Sequence, residues 1–296
     1  MPTPCRVVSL SPNVSMVLFA LEADASVVGR TQGCLAALQQ YSTVWRLPEP
    51  ELRPRLQHWQ ALPVVGTWPL AEREAIQALQ PDLILTAGSG LFGVPDAASL
   101  GVAAEAVVHW DVRTFADLLG QIQQLGSLLD RTAQATALGA QLQRKRDEVQ
   151  ARQPRSASPL TVLFEYCVCT YYDEDPERRL AEPARTVLVG GHLAPELIQW
   201  SGATPVCVQP GDTARWVAFD EIRQAQPVMI LQYDCHGCPT ASKHPLPARP
   251  GWSALPAVAQ NAVYLLRENI SDPNLCFPVA LEHVAEIVQR HAARVS

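Results

Sequence analysis

The sequence predicts an α/β fold of two Rossmann-like lobes joined by one long rigid helix, and three observations support this prediction. Strand-like and helix-like patterns alternate in both halves of the chain, which favours mainly parallel sheets. A stretch near the middle carries apolar residues at helical spacing and contains no proline from residue 114 to residue 153. A third observation is a repeated segment, EAIQALQPDLIL at 74–85 and DEIRQAQPVMIL at 220–231.

Each copy of the repeat is interpreted as a short helix, a proline and a buried strand. Pro81 and Pro227 end the helices, because proline lacks the N–H that a helix interior needs and pushes its predecessor toward extended conformations. The copies lie about half the chain apart, which exceeds the ~20–50 residues of solenoid repeats. The repeat therefore indicates two lobes, and a cleft between lobes is where a ligand binds.

The first lobe opens with the strand Arg6–Leu10, which we expect to be buried on both faces. A helix follows, and either Ser11 or Asn13 can cap it with a side-chain oxygen. Residues 35–62, rich in Gln, Pro and Trp, are predicted to be irregular. The other predicted strands of this lobe are Val27–Gly29, Leu62–Val65, Asp82–Thr86 and Ala106–Trp110.

A capping pattern formed by Thr114 and Asp117 opens the long helix. We predict a single helix from Thr114 to about Arg152, on the order of 55 Å long at ~1.5 Å per residue. The predicted domains are therefore an N-terminal lobe at 1–112, a connecting helix at 113–153 and a C-terminal lobe at 158–296. The second lobe has predicted strands at 161–166, 187–190, 228–232 and 262–266, and predicted helices at 195–200 and 278–292.

The composition of this 296-residue chain limits the kinds of partner that it can have. Its net charge of −6 argues against nucleic acid, which usually binds a basic face. No apolar run reaches the ~18 residues of a membrane span, so we expect no membrane insertion. The amino terminus lacks the pattern of a signal peptide, so we expect a cytoplasmic protein; a leader removed from the sequence would make the periplasm the alternative.

Several segments, taken in order, resemble the cobalamin and iron–siderophore family of ABC-transporter substrate-binding proteins. They are RVVSLSPNVSMVLFAL, VVGRT, LPVVG and the first repeat copy, followed by GGHLAPELIQWSGATPV, the second copy and PGWSALPAVAQNAVYLL. The chain is most similar to the cobalamin-binding branch without signal peptides. The resemblance implies a class III periplasmic-binding-protein fold, with cobalamin, haem or a ferric siderophore held between the lobes. A cytoplasmic location argues against an ABC permease as partner, because a cytoplasmic protein cannot serve a periplasmic importer.

Candidate ligand-binding residues follow from the rule that ligands in open α/β sheets lie beyond the carboxyl ends of the strands. Aromatic side chains there can form flat walls for a macrocycle, and free backbone N–H groups can receive its polar substituents. The residues selected on this basis are Ser11, Asn13, Cys34, Thr67, Trp68, Tyr171, Tyr172, Gly191, His192 and Phe277.

The cysteines of the second lobe offer a different function. Cys167 and Cys169 follow one predicted strand, and Cys235 and Cys238 follow another, with Cys207 and Cys276 as possible neighbours. Thiolates at such spacings suit Zn²⁺ or an iron–sulfur cluster. The alternatives are therefore a cytoplasmic metal or redox protein, or cysteines that only pack in the core.

An NAD-dependent enzyme is a further, weaker alternative. Residues 88–93 (GSGLFG) match G-x-G-x-x-G, and Asp111 follows about twenty residues later. Pro95 and Gly101 leave little room for the helix that would face a pyrophosphate. Since no catalytic set emerges from the scattered histidines, we expect a binding protein that is not an enzyme.

Overall fold

The computed structural model describes residues 5–67, 70–87, 95–153, 160–166, 186–233, 246–267 and 270–295. The chain forms two compact units. The first comprises residues 1–144 with 273–276, and the second comprises residues 145–272 with 277–296. Among the described helices, none has the length and apolar character needed to cross a bilayer.

The first unit is built on a parallel sheet of four strands in the order β2-β1-β5-β6, with a two-stranded antiparallel ribbon, β3-β4. Its strands are β1 Val7–Ser9, β2 Val27–Arg30, β3 Gly66–Thr67, β4 Leu70–Ala71, β5 Leu83–Ala87 and β6 Val107–Trp110. Its helices are α1 Pro12–Ala20, α2 Cys34–Val44, α3 Glu49–Ala61, α4 Arg73–Ala78, α5 Ala97–Leu100 and α6 Phe115–Leu128. Every residue of β1 is buried, as predicted for a strand covered on both faces.

The second unit is built on a mixed sheet. The order is β10-β8-β7-β11-β12, with β9 beside the first residues of β7; β7, β9, β11 and β12 pair in parallel, while β8 and β10 are antiparallel. The strands are β7 Thr161–Glu165, β8 Thr186–Val189, β9 Thr204–Pro205, β10 Arg215–Ala218, β11 Met229–Tyr233 and β12 Val263–Leu266. The helices that follow α7 Thr132–Ala151 are α8 Ala194–Trp200, α9 Phe219–Ala225, α10 Pro256–Ala259 and α11 Phe277–Val295.

The repeated segment forms the same structure in both units. Each copy is a short helix, α4 or α9, followed by a central strand, β5 or β11, that has parallel partners on both sides. Gln80 and Gln226 both adopt left-handed backbone angles, with φ of 45° and 47°, immediately before the proline. Ile84 and Ile230 are fully buried at the equivalent strand positions. The local signal of proline and buried apolar residues was therefore sufficient to predict these elements.

The prediction of one uninterrupted helix from Thr114 to about Arg152 was wrong. The capping box of Thr114 and Asp117 forms as expected, but α6 ends at Leu128 and α7 begins at Thr132. Asp130 adopts the left-handed region (φ 55°), and the N–H of Arg131 bonds back to the carbonyl of Gly126, which is a Schellman-type helix end. A Cβ on Gly126 would lie 2.5 Å from that of Ala135, so this glycine allows the two helices to approach closely.

The chain first passes between the units within α7, since residues up to Arg144 belong to the first unit and those from Lys145 to the second, and it crosses twice more at residues 273–276. The periodicity of apolar residues continues through the break, and Asp130 replaces the glycine that usually marks a helix end. For these two reasons the pattern of residues 114–152 concealed the break.

Residues 35–62, predicted to be irregular, form α2 and α3 instead. Long-range polar contacts hold α3 in place. The indole Nε1 of Trp59 donates to Asp24 at 2.6 Å, and Arg55 forms an ion pair with the same carboxylate at 2.7 Å. Much of this attachment is polar and involves residues outside α3, so the α3 sequence shows little apolar periodicity.

His291 in α11 packs against β12. Its Nδ1 lies 3.2 Å from the hydroxyl of Tyr264, and its Nε2 is buried with no hydrogen-bond partner among the described residues. Burial, with a smaller contribution from Arg294, lowers the pKa of His291. The folded protein therefore holds this imidazole neutral.

We predict that the free energy of unfolding decreases as the pH falls below about 6.5, the ordinary pKa of histidine. The unfolded chain binds the proton more readily than the folded chain, so stability is present above that pH and is lost below it. Urea unfolding at pH 7.5 and 5.5 measures the loss, and His291→Phe reduces it. The exposed His109→Gln serves as the control. An equal pH dependence in His291→Phe and the wild-type protein would contradict the prediction.

Candidate functional site

Four of the residues selected from the sequence lie at or beside the carboxyl edge of the first sheet. Ser11, Asn13 and Cys34 lie in the elements that follow β1 and β2, and Thr67 lies in the ribbon strand β3 beside the loop after β2. Ser11 occupies the N-cap position of α1, but its side chain makes no capping bond, contrary to expectation. Asn13 lies within the first turn of α1, so it does not cap the helix either.

Hydrogen bonds connect the loops that follow β1 and β2. The hydroxyl of Ser9 lies 2.9 Å from that of Ser15 and donates to the carbonyl of Ser11. The thiol of Cys34 lies 3.1 Å from the hydroxyl of Thr31 and 3.9 Å from the carbonyl of Ser9. Cys34 is fully buried, so this edge brings Ser11 and Cys34 together as a packed polar cluster.

Thr67 lies at the exposed end of β3, where its hydroxyl donates to the amide oxygen of Gln32 at 3.1 Å. The backbone N–H of Gln32 donates to the carbonyl of Gly66. These two bonds hold the loop after β2 beside β3. Thr67 is therefore the selected residue of this edge with the most accessible side chain.

In the second unit, Gly191 and His192 follow β8 in a tight turn. A Cβ on Gly191 would come within 2.5 Å of the backbone at Asp212 and Thr213, so only glycine fits. The N–H of His192 already donates to the carbonyl of Asp212 at 2.7 Å. That N–H therefore donates to a carbonyl within the fold, whereas the sequence analysis had suggested that it would donate to a ligand.

Phe277 begins α11 and is buried, with its ring 6.4 Å from that of Trp200. This contact lies within the second unit and is a core contact. The role of Phe277 as a wall for a ligand stays a prediction, as does the binding role of the other selected residues.

The remaining selected residues lie outside the described part of the chain, so their roles also stay predictions. They are Trp68, Tyr171, Tyr172, Cys167, Cys169, Cys235 and Cys238, together with the glycine-rich loop at 88–93. Within the described ranges, no group of three or more His, Cys, Asp or Glu side chains is arranged to hold a metal.

Cys207 and Cys276, which had been considered as neighbours of a metal site, have raised thiol pKa values. Burial raises the pKa of Cys276 to about 12, and its sulfur lies 4.0 Å from that of Met16 within the first unit. Burial and the nearby Glu221 raise the pKa of Cys207 to about 11. In the absence of a bound metal, both thiols are therefore protonated at neutral pH.

The NAD alternative gains no support. Asp111, which would bind a ribose, forms a surface ion pair with Arg113 at 3.2 Å. The helix after the glycine-rich loop, α5, has only four residues. So short a helix cannot present a full set of N–H groups to a pyrophosphate.

The carboxyl edge of the second sheet has an aromatic pair that was not among the selected residues. Tyr166 follows β7 directly and Tyr233 ends β11; their rings stack with centroids 5.9 Å apart and planes 25° apart. Both rings are half-buried. Their shared position after two neighbouring parallel strands was the signal that could have identified them.

One residue before the tyrosine on each strand, a buried polar cluster joins β7 and β11. Glu165 pairs in register with Gln232, whose amide donates to Glu165 Oε2 at 2.6 Å. Arg249 donates to the other carboxylate oxygen, Oε1, also at 2.6 Å. The side chain of Arg249 is 5% exposed and that of Glu165 is 12% exposed, so this is a buried ion pair.

The same arginine connects the strand ends to the segment before α10. Its guanidinium lies 4.9 Å from the ring centre of Trp252, and that ring stacks on Phe219 at 5.4 Å. Phe219 is the first residue of α9, the helix of the repeated segment. The Glu165 carboxylate therefore connects β7 to β11 and to the segment that carries Arg249, and Trp252 packs that segment on α9.

Comparisons with known proteins agree with this architecture. A family profile described as "Periplasmic binding protein" matches residues 7–172, more than half of the chain. No curated protein sequence matches this chain. S. aureus IsdE complexed with haem has a TM-score of 0.72 at 19% identity, over 97% of this chain and 99% of that chain.

Two further solved structures are similar over nearly their full lengths. The periplasmic haem-binding protein BhuT, in complex with two haems, has a TM-score of 0.68 at 23% identity, over 97% of this chain and 99% of that chain. An Fe³⁺-hydroxamate transport protein from Saccharomonospora viridis has a TM-score of 0.65 at 21% identity, over 96% and 93% of the two chains. At these identities the likeness shows the fold.

We predict that Glu165→Gln lowers the free energy of unfolding by about 3–5 kcal/mol, because it leaves the buried Arg249 cation without a counter-charge. Urea denaturation measures the change. The control is Glu221→Gln, which breaks the exposed ion pair with Arg215 and should cost no more than about 1 kcal/mol. Equal losses in the two variants would show that the Glu165 pair is not effectively buried.

Proposed function

Because the chain belongs to the periplasmic binding protein family, we propose that it binds a metal chelate without catalysing a reaction. Its fold is that of class III members of this family. Haem, a ferric siderophore and cobalamin are the ligands to consider. Haem is favoured by the structures of IsdE and BhuT, and ferric hydroxamates by the S. viridis protein.

The tyrosine pair is the observation that carries this proposal. Tyr166 and Tyr233 lie at the carboxyl edge of the second sheet, where open α/β folds bind ligands. A phenol ring has an apolar face for a planar ligand and a polar tip. Its oxygen is also a known ligand of haem iron. The pair therefore suits an aromatic or iron-containing chelate.

We place this function outside the cytoplasm. The family description and the periplasmic haem-binding protein BhuT favour the periplasmic alternative over the cytoplasmic expectation from the sequence. In that compartment a chelate-binding protein would deliver its ligand to an ABC permease. Fractionation of cells that produce the protein from its full gene tests the location, and recovery with cytoplasmic markers would contradict it.

Titration with hemin, cyanocobalamin and a ferric hydroxamate, followed by tryptophan quenching, tests the function. We predict a Kd well below about 1 mM for at least one of them. If all three bind more weakly than this, the proposed function is wrong.

Substitution of the tyrosines tests the site. We predict that Tyr166→Ala and Tyr233→Ala each weaken binding at least about tenfold, equivalent to about 1.4 kcal/mol. Tyr→Phe at the same positions separates stacking from ligation, because it keeps the ring and removes the oxygen. Tyr264→Phe is the matched control, since its hydroxyl contacts His291 instead of the carboxyl edge. Unchanged affinity in both alanine variants would exclude the tyrosine pair from the site.

A further inference from the structure

The buried cluster of Glu165, Gln232 and Arg249 is placed directly beside the tyrosine pair along the chain. Glu165 precedes Tyr166, and Gln232 precedes Tyr233, on neighbouring strands in register. Successive side chains on a strand point to opposite faces of the sheet. The cluster and the tyrosines therefore occupy opposite faces, and any influence passes through the backbone.

We propose that Glu165 and Arg249 are positioning residues for ligand binding, and that their ion pair holds the ends of β7 and β11 so that Tyr166 and Tyr233 stack. This inference rests on the proposed function for its ligand. It assigns to the cluster a role that the fold alone does not require, namely to fix the distance between two ligand-binding rings.

The hydrogen bonds of Glu165, Gln232 and Arg249 form a side-chain clamp across the ends of β7 and β11. The two carboxylate oxygens of Glu165 have separate partners, one on the neighbouring strand and one on Arg249. The Gln232 bond joins the strands at the last pair before the tyrosines. On the other side of β7, the N–H of Tyr166 donates to the carbonyl of Leu188 in β8 at 2.8 Å, which fixes its backbone.

Arg249 connects the end of β7 to the segment that contains Trp252. Its segment is anchored by the stacking of Trp252 on Phe219, while its guanidinium reaches the Glu165 carboxylate. Without the ion pair, Tyr166 would keep its backbone bond to β8 and the edge contact of its ring with Phe164 at 6.3 Å, but the side-chain link from β7 to Arg249 would be lost. We expect the two tyrosine rings to separate as a result.

The test uses the double variant Glu165→Gln with Arg249→Met. Removal of both charges leaves no isolated ion in the core, so the fold should survive where a single charge deletion would endanger it. Hemin affinity should fall about tenfold or more, as is typical when groups that orient a binding residue are removed. The absorption spectrum of bound haem should also change. The matched control is Arg215→Gln with Glu221→Gln, which removes the exposed pair between β10 and α9 and should change neither property.

Glu165→Asp is the second variant, because it keeps the charge but shortens the side chain, and it should give a smaller loss of affinity. A folded double variant with wild-type hemin affinity and spectrum would overturn the proposal. If the wild-type protein binds no chelate, the proposed function fails. A crystal structure of the double variant then tests whether the ion pair holds the two tyrosine rings together. Rings still stacked near 5.9 Å in that structure would overturn this role of the ion pair, whereas separated rings would support it.

Discussion

Parallel pairing of two buried strands in each sheet, β1 with β5 and β7 with β11, is the constraint on which the rest of the structure depends. A strand covered on both faces must be apolar along its length and must have its backbone groups paired on both edges. The repeated segment meets both requirements, because it brings an apolar strand to the centre of each sheet after a helix that stops at proline. Parallel strands also end together, so each sheet acquires one edge at which several loops meet.

Polar side chains at such an edge need partners, because the interior behind it is apolar. In the first unit the requirement is met by hydroxyl groups and backbone carbonyls around Ser9 and Thr31. In the second unit it is met by a carboxylate, an amide and a guanidinium. The first solution is neutral and local, whereas the second is charged and joins distant segments. From that difference we expect single substitutions to destabilise the second edge more than the first.

The chain passes between its units inside α7, and residues 273–276 return to the first unit before α11 begins. Trp45 donates its indole N–H to the carbonyl of Leu275 at 3.0 Å, and Cys276 packs near Met16. The first unit is therefore completed by residues close to the end of the chain. A fragment that stops before residue 273 would lack these contacts.

The α/β class, the central strands, the repeated helix–proline–strand segments and the resemblance to substrate-binding proteins could be predicted from the sequence. Each of these depends on residues close together in the chain, such as Gln80 with Pro81 or the continuous run of buried residues in β5. Tertiary structure alone decided the helix end at Asp130, the attachment of α3 through Asp24, and the ion pair between Glu165 and Arg249. Those features join residues that are distant in sequence, or place a residue in a conformation its type rarely adopts, and neither leaves a periodic pattern. The tyrosine pair lies between these cases: the strand ends that carry it were predictable, but its stacking depends on the register of β7 against β11.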